Sequence, residues 1–225
     1  MITDAPGDGP VPHTKGLVIY WAARYDLLAW LLTGGRERAF RERLIELAAV
    51  EPGDSVLDIG CGTGTLAIAA TRHAGPTGSI DGIDASPQMI ARATRKAGKA
   101  GAPAVFQLAA AEQLPFPDAR FDVVLSTLMF HHLPRNVRKQ CAIEIRRVLK
   151  RRGRVLVVDF GKAQARHGLL AHFHRHGHVA IEDIDSILTN AGFTTVRTGP
   201  VGVRDLQFVV ATAAKDVSGH EGLAL

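Results

Sequence analysis

The sequence predicts an α/β fold: a mostly parallel sheet with helices on both faces. Three observations lead there. Strand-like and helix-like stretches alternate from about residue 36 to residue 213, three glycines at alternate positions follow directly on the first strand, and no segment repeats. With 46% hydrophobic and 22% charged residues over 225 positions, the chain reads as one ordinary domain able to bury a full core. The domain is expected over residues 15–214, between a disordered Pro/Gly-rich segment, 1–14, and a flexible tail, 215–225.

Taken in order, a helix is expected around Val18 to Leu32 and another from about Arg36 to Val50, with Gly34 and Gly35 between them. After the Pro52-Gly53 turn, Ser55 to Ile59 reads as a short buried strand and Thr65 to His73 as a helix. The stretch Ser79 to Asp84 is the next strand. The helix after it opens on Ser86 as N-cap, with Pro87 at the first helical position. Strands are expected at Ala104 to Leu108 and at Phe121 to Thr127. A helix from about Arg135 to Leu149 leads through Gly153 into the strand RVLVVDF. The helix Ile181 to Asn190 stops at Gly192, and strands Thr194 to Thr198 and Leu206 to Ala213 bring the count to seven. In such a sheet a ligand binds at the carboxyl ends of the strands near the point where strand order reverses, and the glycines sit at the end of the first strand.

The glycine stretch, SVLDIGCGTGTLAIAA, determines the chemistry. Gly60, Gly62 and Gly64 let the backbone turn sharply beside a ligand, while the following helix presents its N-terminal amides. A dinucleotide fingerprint requires G-x-G-x-x-G, and here Gly64 is followed by Thr65, so that fingerprint is not met. Asp84 closes the second strand 20 positions after Gly64, where a carboxylate can accept from ribose hydroxyls. Asp58, two residues before the first glycine, would repel a pyrophosphate but suits a ligand carrying an ammonium and a sulfonium. S-adenosylmethionine is such a ligand.

These residues resemble a known family. VLDIGCGTG is similar to the first motif of class I S-adenosylmethionine-dependent methyltransferases, and the order of the remaining motifs resembles the ubiquinone/menaquinone-biosynthesis-like branch. GIDASPQMI looks like the second motif, AAAEQLPFPDARFDVVLSTLMFHHLP like the stretch from the third strand through the fourth, LKRRGRVLVVDFG like the segment entering the fifth strand, and LLTNAGF like the last helix-to-strand turn. The resemblance covers about Tyr25 to Thr212. It implies a seven-stranded, Rossmann-like methyltransferase sheet with N-terminal lid helices. It also implies S-adenosylmethionine as cofactor, S-adenosylhomocysteine as product, and a small-molecule methyl acceptor. The cofactor residues it implies are Asp58, Gly60, Cys61, Gly62, Gly64, Asp84, Ala85, Met89, Ala111, Glu112 and Thr127, with Asp84 on the ribose and Met89 near the adenine. Tyr25 and Asp26 match a YD pair that lies near the cofactor in that family.

Two positions depart from the pattern. Ala110 stands where the family usually has an aspartate that accepts from the adenine amino group, and Arg151-Arg152 stands where Pro-Gly is common. Losing one such hydrogen bond weakens binding by about 0.5 to 1.5 kcal/mol.

Methyl transfer from a sulfonium is an in-line displacement, so the protein aligns the nucleophile, excludes water and removes a proton where required. His131 and His132, just past the fourth strand, are the candidate bases, the alternative being that either ring only caps the turn; Tyr25 is the third catalytic candidate. Tyr20, Trp21, Tyr25 and Trp30 form either core packing or a lid for an aromatic or lipid-like acceptor. In HGLLAHFHRHGH, His172 and His176 would share a helical face that can hold a metal, but no other metal motif accompanies His167, His172, His174, His176 and His178. No metal site is assigned, and the segment is expected to shape the acceptor pocket or to lie at the surface.

The net charge of +5 concentrates between Arg135 and Arg154, where nine Lys or Arg face one acid, Glu144. This reads as a solvated helix face, with contact to an anionic membrane or RNA as the alternative. A nucleic-acid methyltransferase would use that patch, but the [DN]-P-P-[YF] box common in base N-methylation is absent, with STLMFHH in its place, so nucleic acid is not the expected substrate. A non-catalytic cofactor-binding module is the rival that Ala110 favours. Cys61 and Cys141 lie 80 positions apart without a CxxC partner, which fits a reducing cytoplasm. No signal-peptide pattern opens the sequence, and the apolar stretch Leu17 to Leu32 is interrupted by Arg24 and Asp26, so no transmembrane segment is expected.

Overall fold

Short apolar runs bounded by turn residues form strands, and the amphipathic stretches between them form helices. The computed structural model describes residues 14–18, 30–31, 33–161, 181–203 and 206–213. In chain order the elements are helix α1 (Glu37–Leu47), strand β1 (Ser55–Ile59), α2 (Thr65–Ala74), β2 (Ser79–Asp84), α3 (Pro87–Ala100), β3 (Ala104–Leu108), β4 (Phe121–Thr127), a 3-10 turn (Phe130–His132), α4 (Arg135–Val148), β5 (Leu149–Phe160), α5 (Ile181–Asn190), β6 (Phe193–Pro200) and β7 (Leu206–Ala213). The start of α3 follows the expected chemistry: the Ser86 hydroxyl accepts from the Met89 amide and Pro87 opens the helix, which ends on Gly101 in the left-handed region.

The seven strands lie in the order β3-β2-β1-β4-β5-β7-β6. All pair in parallel except β7, which runs antiparallel to both β5 and β6. Alternating side chains divide the core in two. Leu57, Ile59, Val124 and Val157 pack under α4 and α5, whereas Val56, Val123, Leu125 and Leu156 pack under α1 and α2. β1 is flanked by β2 and β4, so the crevice between their carboxyl ends is the point where strand order reverses.

Three local expectations change. The fifth strand starts at Leu149 rather than Arg154: Leu149 pairs with Phe121 before the register shifts, and Arg152 takes φ +68 at the irregularity. Arg151 and Arg152 are therefore part of an irregular strand edge instead of a loop, at the end of the sheet away from the glycines. Helix α1 ends at Leu47, short of Val50, because the Arg154 guanidinium reaches across from β5 to the carbonyls of Ala48 and Ala49 and to Asp54.

The basic patch also breaks up on folding. Arg147 binds Glu144, Asp118 and the carbonyls of Leu114 and Phe116; Lys150 binds Asp122; and Arg138 donates to the Phe130 carbonyl. Nearby Glu144, the more distant Asp118 and Asp122, and backbone carbonyls supply these partners, so part of the apparent patch is internal wiring. The Val18 to Leu32 helix lies mostly outside the described residues; of its aromatic residues, Trp30 is described, and it is exposed. Tyr20, Trp21, Tyr25, Asp26 and the His167 to His178 cluster lie outside them too, as do nearly all of 1–14 and the tail.

Gly64 sits at φ +76, and a Cβ there would stand 2.7 Å from the Phe106 ring and 2.8 Å from Ala93. Gly64→Ala is accordingly expected to lower stability by about 2 kcal/mol, read as a shift in the urea midpoint, through overpacking and left-handed strain. An unchanged midpoint would show that α3 and β3 can yield.

Candidate functional site

Every candidate residue after β1 hangs on the turn that follows it. The amides of Gly60 and Cys61 both donate to the Ile83 carbonyl, at 2.8 and 2.9 Å, which folds the glycine loop over the end of β2. Gly60, Gly62 and Gly64 all have positive φ, as expected. Their lack of side chains does more internal work than the sequence suggests. A Cβ on Gly60 would lie 2.4 Å from Met129 Cγ, so the turn after β4 packs directly on the loop.

Asp84 ties the loop down. Its two oxygens accept from the Gly62 amide at 2.9 Å and the Ser86 amide at 2.9 Å. Each oxygen keeps a further lone pair, so the carboxylate can serve a hydroxyl pair without releasing the loop. Burial pushes Asp84 above the ordinary carboxylate range, and the amides of Ser86, Gly62 and Ala85 act against that.

Asp58 is 2% exposed at the end of β1, on the α1 side of the sheet. Burial pushes it up to about 7; Arg41 works against this, and the neighbouring Asp84 adds to it. Arg41 pairs with Glu37, but its Nε is buried and finds no partner among the described residues. The Thr127 Oγ1, at the end of β4, is orphaned in the same way. Arg41, Asp58, Gly60, Thr127 and Leu128 line one cavity. A buried carboxyl group that accepts from the Ala67 amide, a guanidinium with an orphaned Nε and a hydroxyl without a partner among the described residues thus line a common space. Arg41 carried no motif; its distance from the glycines in sequence hid it.

The remaining cofactor candidates are close by. Cys61 is a buried free thiol, pushed up by burial, and its Sγ makes a long contact to the Gly62 carbonyl. Met89 is buried beneath the start of α3. Ala110 and Ala111 are buried after β3, and Ala110 contributes its carbonyl to the Gln113 amide. The Glu112 carboxylate is held by the Thr14 hydroxyl and the Lys15 amide, and the Leu17 amide donates to the His132 carbonyl. This N-terminal strap along the mouth had no signal in the sequence.

The two histidines separate clearly. His131 donates from Nδ1 to Asp159 at 2.8 Å, whereas His132 stacks on the His131 ring at a centroid distance of 3.8 Å. Burial pushes His132 down to about 4, with His131 adding to this and Asp159 opposing it, so its ring is neutral at physiological pH. Asp159 was missed as a site residue because it closes a buried strand and its partner is 28 positions away.

A seven-stranded sheet with one antiparallel strand, a glycine loop over β1 and acids at the ends of β1 and β2 match the architecture of class I S-adenosylmethionine-dependent methyltransferases. Residues 56–153 match the family model described as a methyltransferase domain. Among relatives, the chain is 40% identical over 141 residues to the ubiquinone/menaquinone biosynthesis C-methyltransferase UbiE of Ralstonia pickettii, covering 63% of this chain and 57% of that protein. The Burkholderia mallei UbiE is 39% identical over the same shares. The chain spans well under two thirds of the length of these relatives. Among solved structures, an S-adenosylmethionine-dependent methyltransferase from Aquifex aeolicus superposes with a TM-score of 0.72 at 22% identity, over 86% of this chain and 98% of its own. The [4+2]-cyclase SpnF does so at 0.68 and 20%, over 90% and 99%; these two show the fold alone.

The residues present are of a kind that would suit S-adenosylmethionine: buried Asp58 its ammonium, the orphaned Arg41 Nε its carboxylate and, beside the cavity, the free lone pairs of Asp84 its ribose. No cluster that could hold a metal is found among the described residues, and no helix among them is long and apolar enough to cross a membrane.

An aspartate whose folded pKa lies above its ordinary value of 3.8 takes up a proton on folding. Its destabilising effect is absent well below that value, grows as pH rises towards 7, and is constant above. Asp58→Asn is expected to raise the melting temperature of the ligand-free protein more at pH 8 than at pH 5, followed by circular dichroism. An equal shift at both pH values would remove Asp58 ionisation from the balance.

Proposed function

We propose that the protein is an S-adenosylmethionine-dependent methyltransferase acting on a small aromatic acceptor of the quinol class. The observation that carries the reading is the cavity in which buried Asp58, unpartnered Arg41 Nε and Thr127 Oγ1 converge beside the Asp84-anchored loop. The likeness to relatives named for ubiquinone/menaquinone biosynthesis supports the quinol class.

In this reading Asp58 and Arg41 hold the amino and carboxylate ends of the cofactor. Asp84 holds the ribose, and Met89, Ala111 and Glu112 border the adenine side. Gly60, Gly62 and Gly64, with Cys61, Ala85 and Thr127, shape the walls. When bound, the cofactor supplies an electrophilic methyl group on a sulfonium. The chain's own part is to orient the acceptor, exclude water and take a proton, and His131 is the group placed for the last of these. His132, neutral and stacked on it, supports the ring. Tyr25 remains a candidate for the acceptor side, and the absence of a side-chain acceptor at Ala110 leaves the adenine to backbone groups.

Calorimetric titration with S-adenosylmethionine, S-adenosylhomocysteine and NAD tests the cofactor. Micromolar binding of the first two and none of NAD is expected, with Asp84→Ala weakening the sulfur ligands by at least about tenfold, a charge-assisted hydrogen bond's worth. Formation of S-adenosylhomocysteine from hydroquinone or 1,4-naphthoquinol, above that from thiol and amine probes, then tests the acceptor. Binding without turnover of any probe would favour a non-catalytic module.

A further inference from the structure

A buried carboxylate closes β5 and reaches the turn that carries His131. Asp159 is 0% exposed, and three donors converge on it: the His131 amide at 3.1 Å, His131 Nδ1 at 2.8 Å and the Phe160 amide at 2.8 Å. Amides only donate, and three donors with no acceptor is the environment that a carboxylate satisfies and a carboxylic acid does not. In a strand otherwise reading Val155, Leu156, Val157 and Val158, Asp159 is the buried charged group, and it anchors both the backbone and the ring of His131.

The contact has a chemical consequence. A ring that donates from Nδ1 leaves Nε2 as the acceptor, and His131 Nε2 makes no hydrogen bond to the described residues. The ring cannot drift: the edge of Phe160 meets it at 5.1 Å and 70°, and His132 covers another side. The charged and titratable groups around the pair are few. From α4, Arg138 donates to the Phe130 carbonyl at 2.9 Å and feels Asp159; from α5, Asp183 offsets Arg138; and His132 stands beside the ring. The turn carrying His131 begins with Leu128, which lines the cofactor cavity, and Met129, which packs on Gly60. The pair therefore stands at the same edge of the sheet as the glycine loop.

We infer that Asp159 is a positioning residue that holds His131 as the Nδ1–H tautomer, so that Nε2 takes the proton from an acceptor with an acidic X–H bond, of the phenol or hydroquinol class. This rests on the methyltransferase reading above. The X–H bond breaks, its electron pair stays on the acceptor, and an Nε2–H bond forms, with the imidazolium compensated by Asp159. The acceptor's pair then bonds to the methyl group, the pair of the S–C bond stays on sulfur, and the proton leaves Nε2 for solvent. Acceptors whose nucleophile is already a neutral lone pair, such as amines, gain nothing from the pair.

Nitrogen-15 imidazole spectra of the wild-type protein at pH 7.5 decide the tautomer without any variant or turnover: a protonated Nδ1 and a bare Nε2 on His131 are expected, and the reverse overturns the inference. Asp159→Asn should reverse the tautomer and lower kcat on hydroquinol by roughly 100-fold, the typical share of a general base. The Kd for S-adenosylmethionine should stay within about twofold, the range expected when no cofactor contact is lost. His131→Gln should do the same, and the double variant should lose no more than either alone. Wild-type kcat in folded Asp159→Asn would sink the inference. Failure of the wild type to bind S-adenosylmethionine would instead sink the underlying reading, while leaving the tautomer result intact.

Discussion

Strand β1 lies between β2 and β4 in parallel pairing, so the chain leaves its carboxyl end towards one neighbour and comes back beside the other. The crevice opened by that reversal is the one place on the sheet edge where backbone amides can turn inward without a strand to pair with. The glycine loop occupies it, held by two amides on the Ile83 carbonyl and by the Gly62 amide on Asp84. Asp84 also fixes Ser86, which caps α3. A single carboxylate thus couples the loop to the helix that packs on β3, and the site inherits the rigidity of the sheet.

The same edge stores unsatisfied polar groups. The Arg41 Nε and the Thr127 Oγ1 are buried without partners among the described residues, and Asp58 is buried deeply enough to lift its pKa to about 7, a costly arrangement in an apolar interior. Such costs are tolerated where a ligand repays them, and a zwitterionic sulfonium ligand offers a partner to each charged member. Asp159 and His131 stand apart from this group, on the α4 side of the sheet, and satisfy one another except at Nε2. The two groups therefore lie on opposite faces of the sheet.

The packing of Met129 on Gly60 joins the two halves. Because no side chain intervenes, the turn that carries His131 packs directly on the glycine loop. The N-terminal strap, with Thr14 and Lys15 on Glu112 and Leu17 on the His132 carbonyl, closes over the same turn. Among the nine cations along residues 135–154, Arg147 pairs with Asp118 and Glu144, Lys150 with Asp122 and Arg154 with Asp54, so part of that charge is met within the fold.

Local pattern by itself determined the strands and most helix limits, because burial on two faces writes continuous apolar runs, because Ser86-Pro87 caps and opens a helix, and because Gly192 is free to take the left-handed conformation that ends one. It also determined the positions of the glycine loop, Asp58 and Asp84, since their spacing is set within one turn of chain. Tertiary structure alone decided what acts between distant segments: Arg41 opposite Asp58, Asp159 beneath His131, Arg154 ending α1, and Met129 and Phe106 filling the space beside Gly60 and Gly64. The physical reason is that hydrogen bonds and desolvation depend on separation in space. A carboxylate 28 residues away in sequence leaves no mark on the local periodicity of its partner, yet it selects which nitrogen of His131 carries the proton.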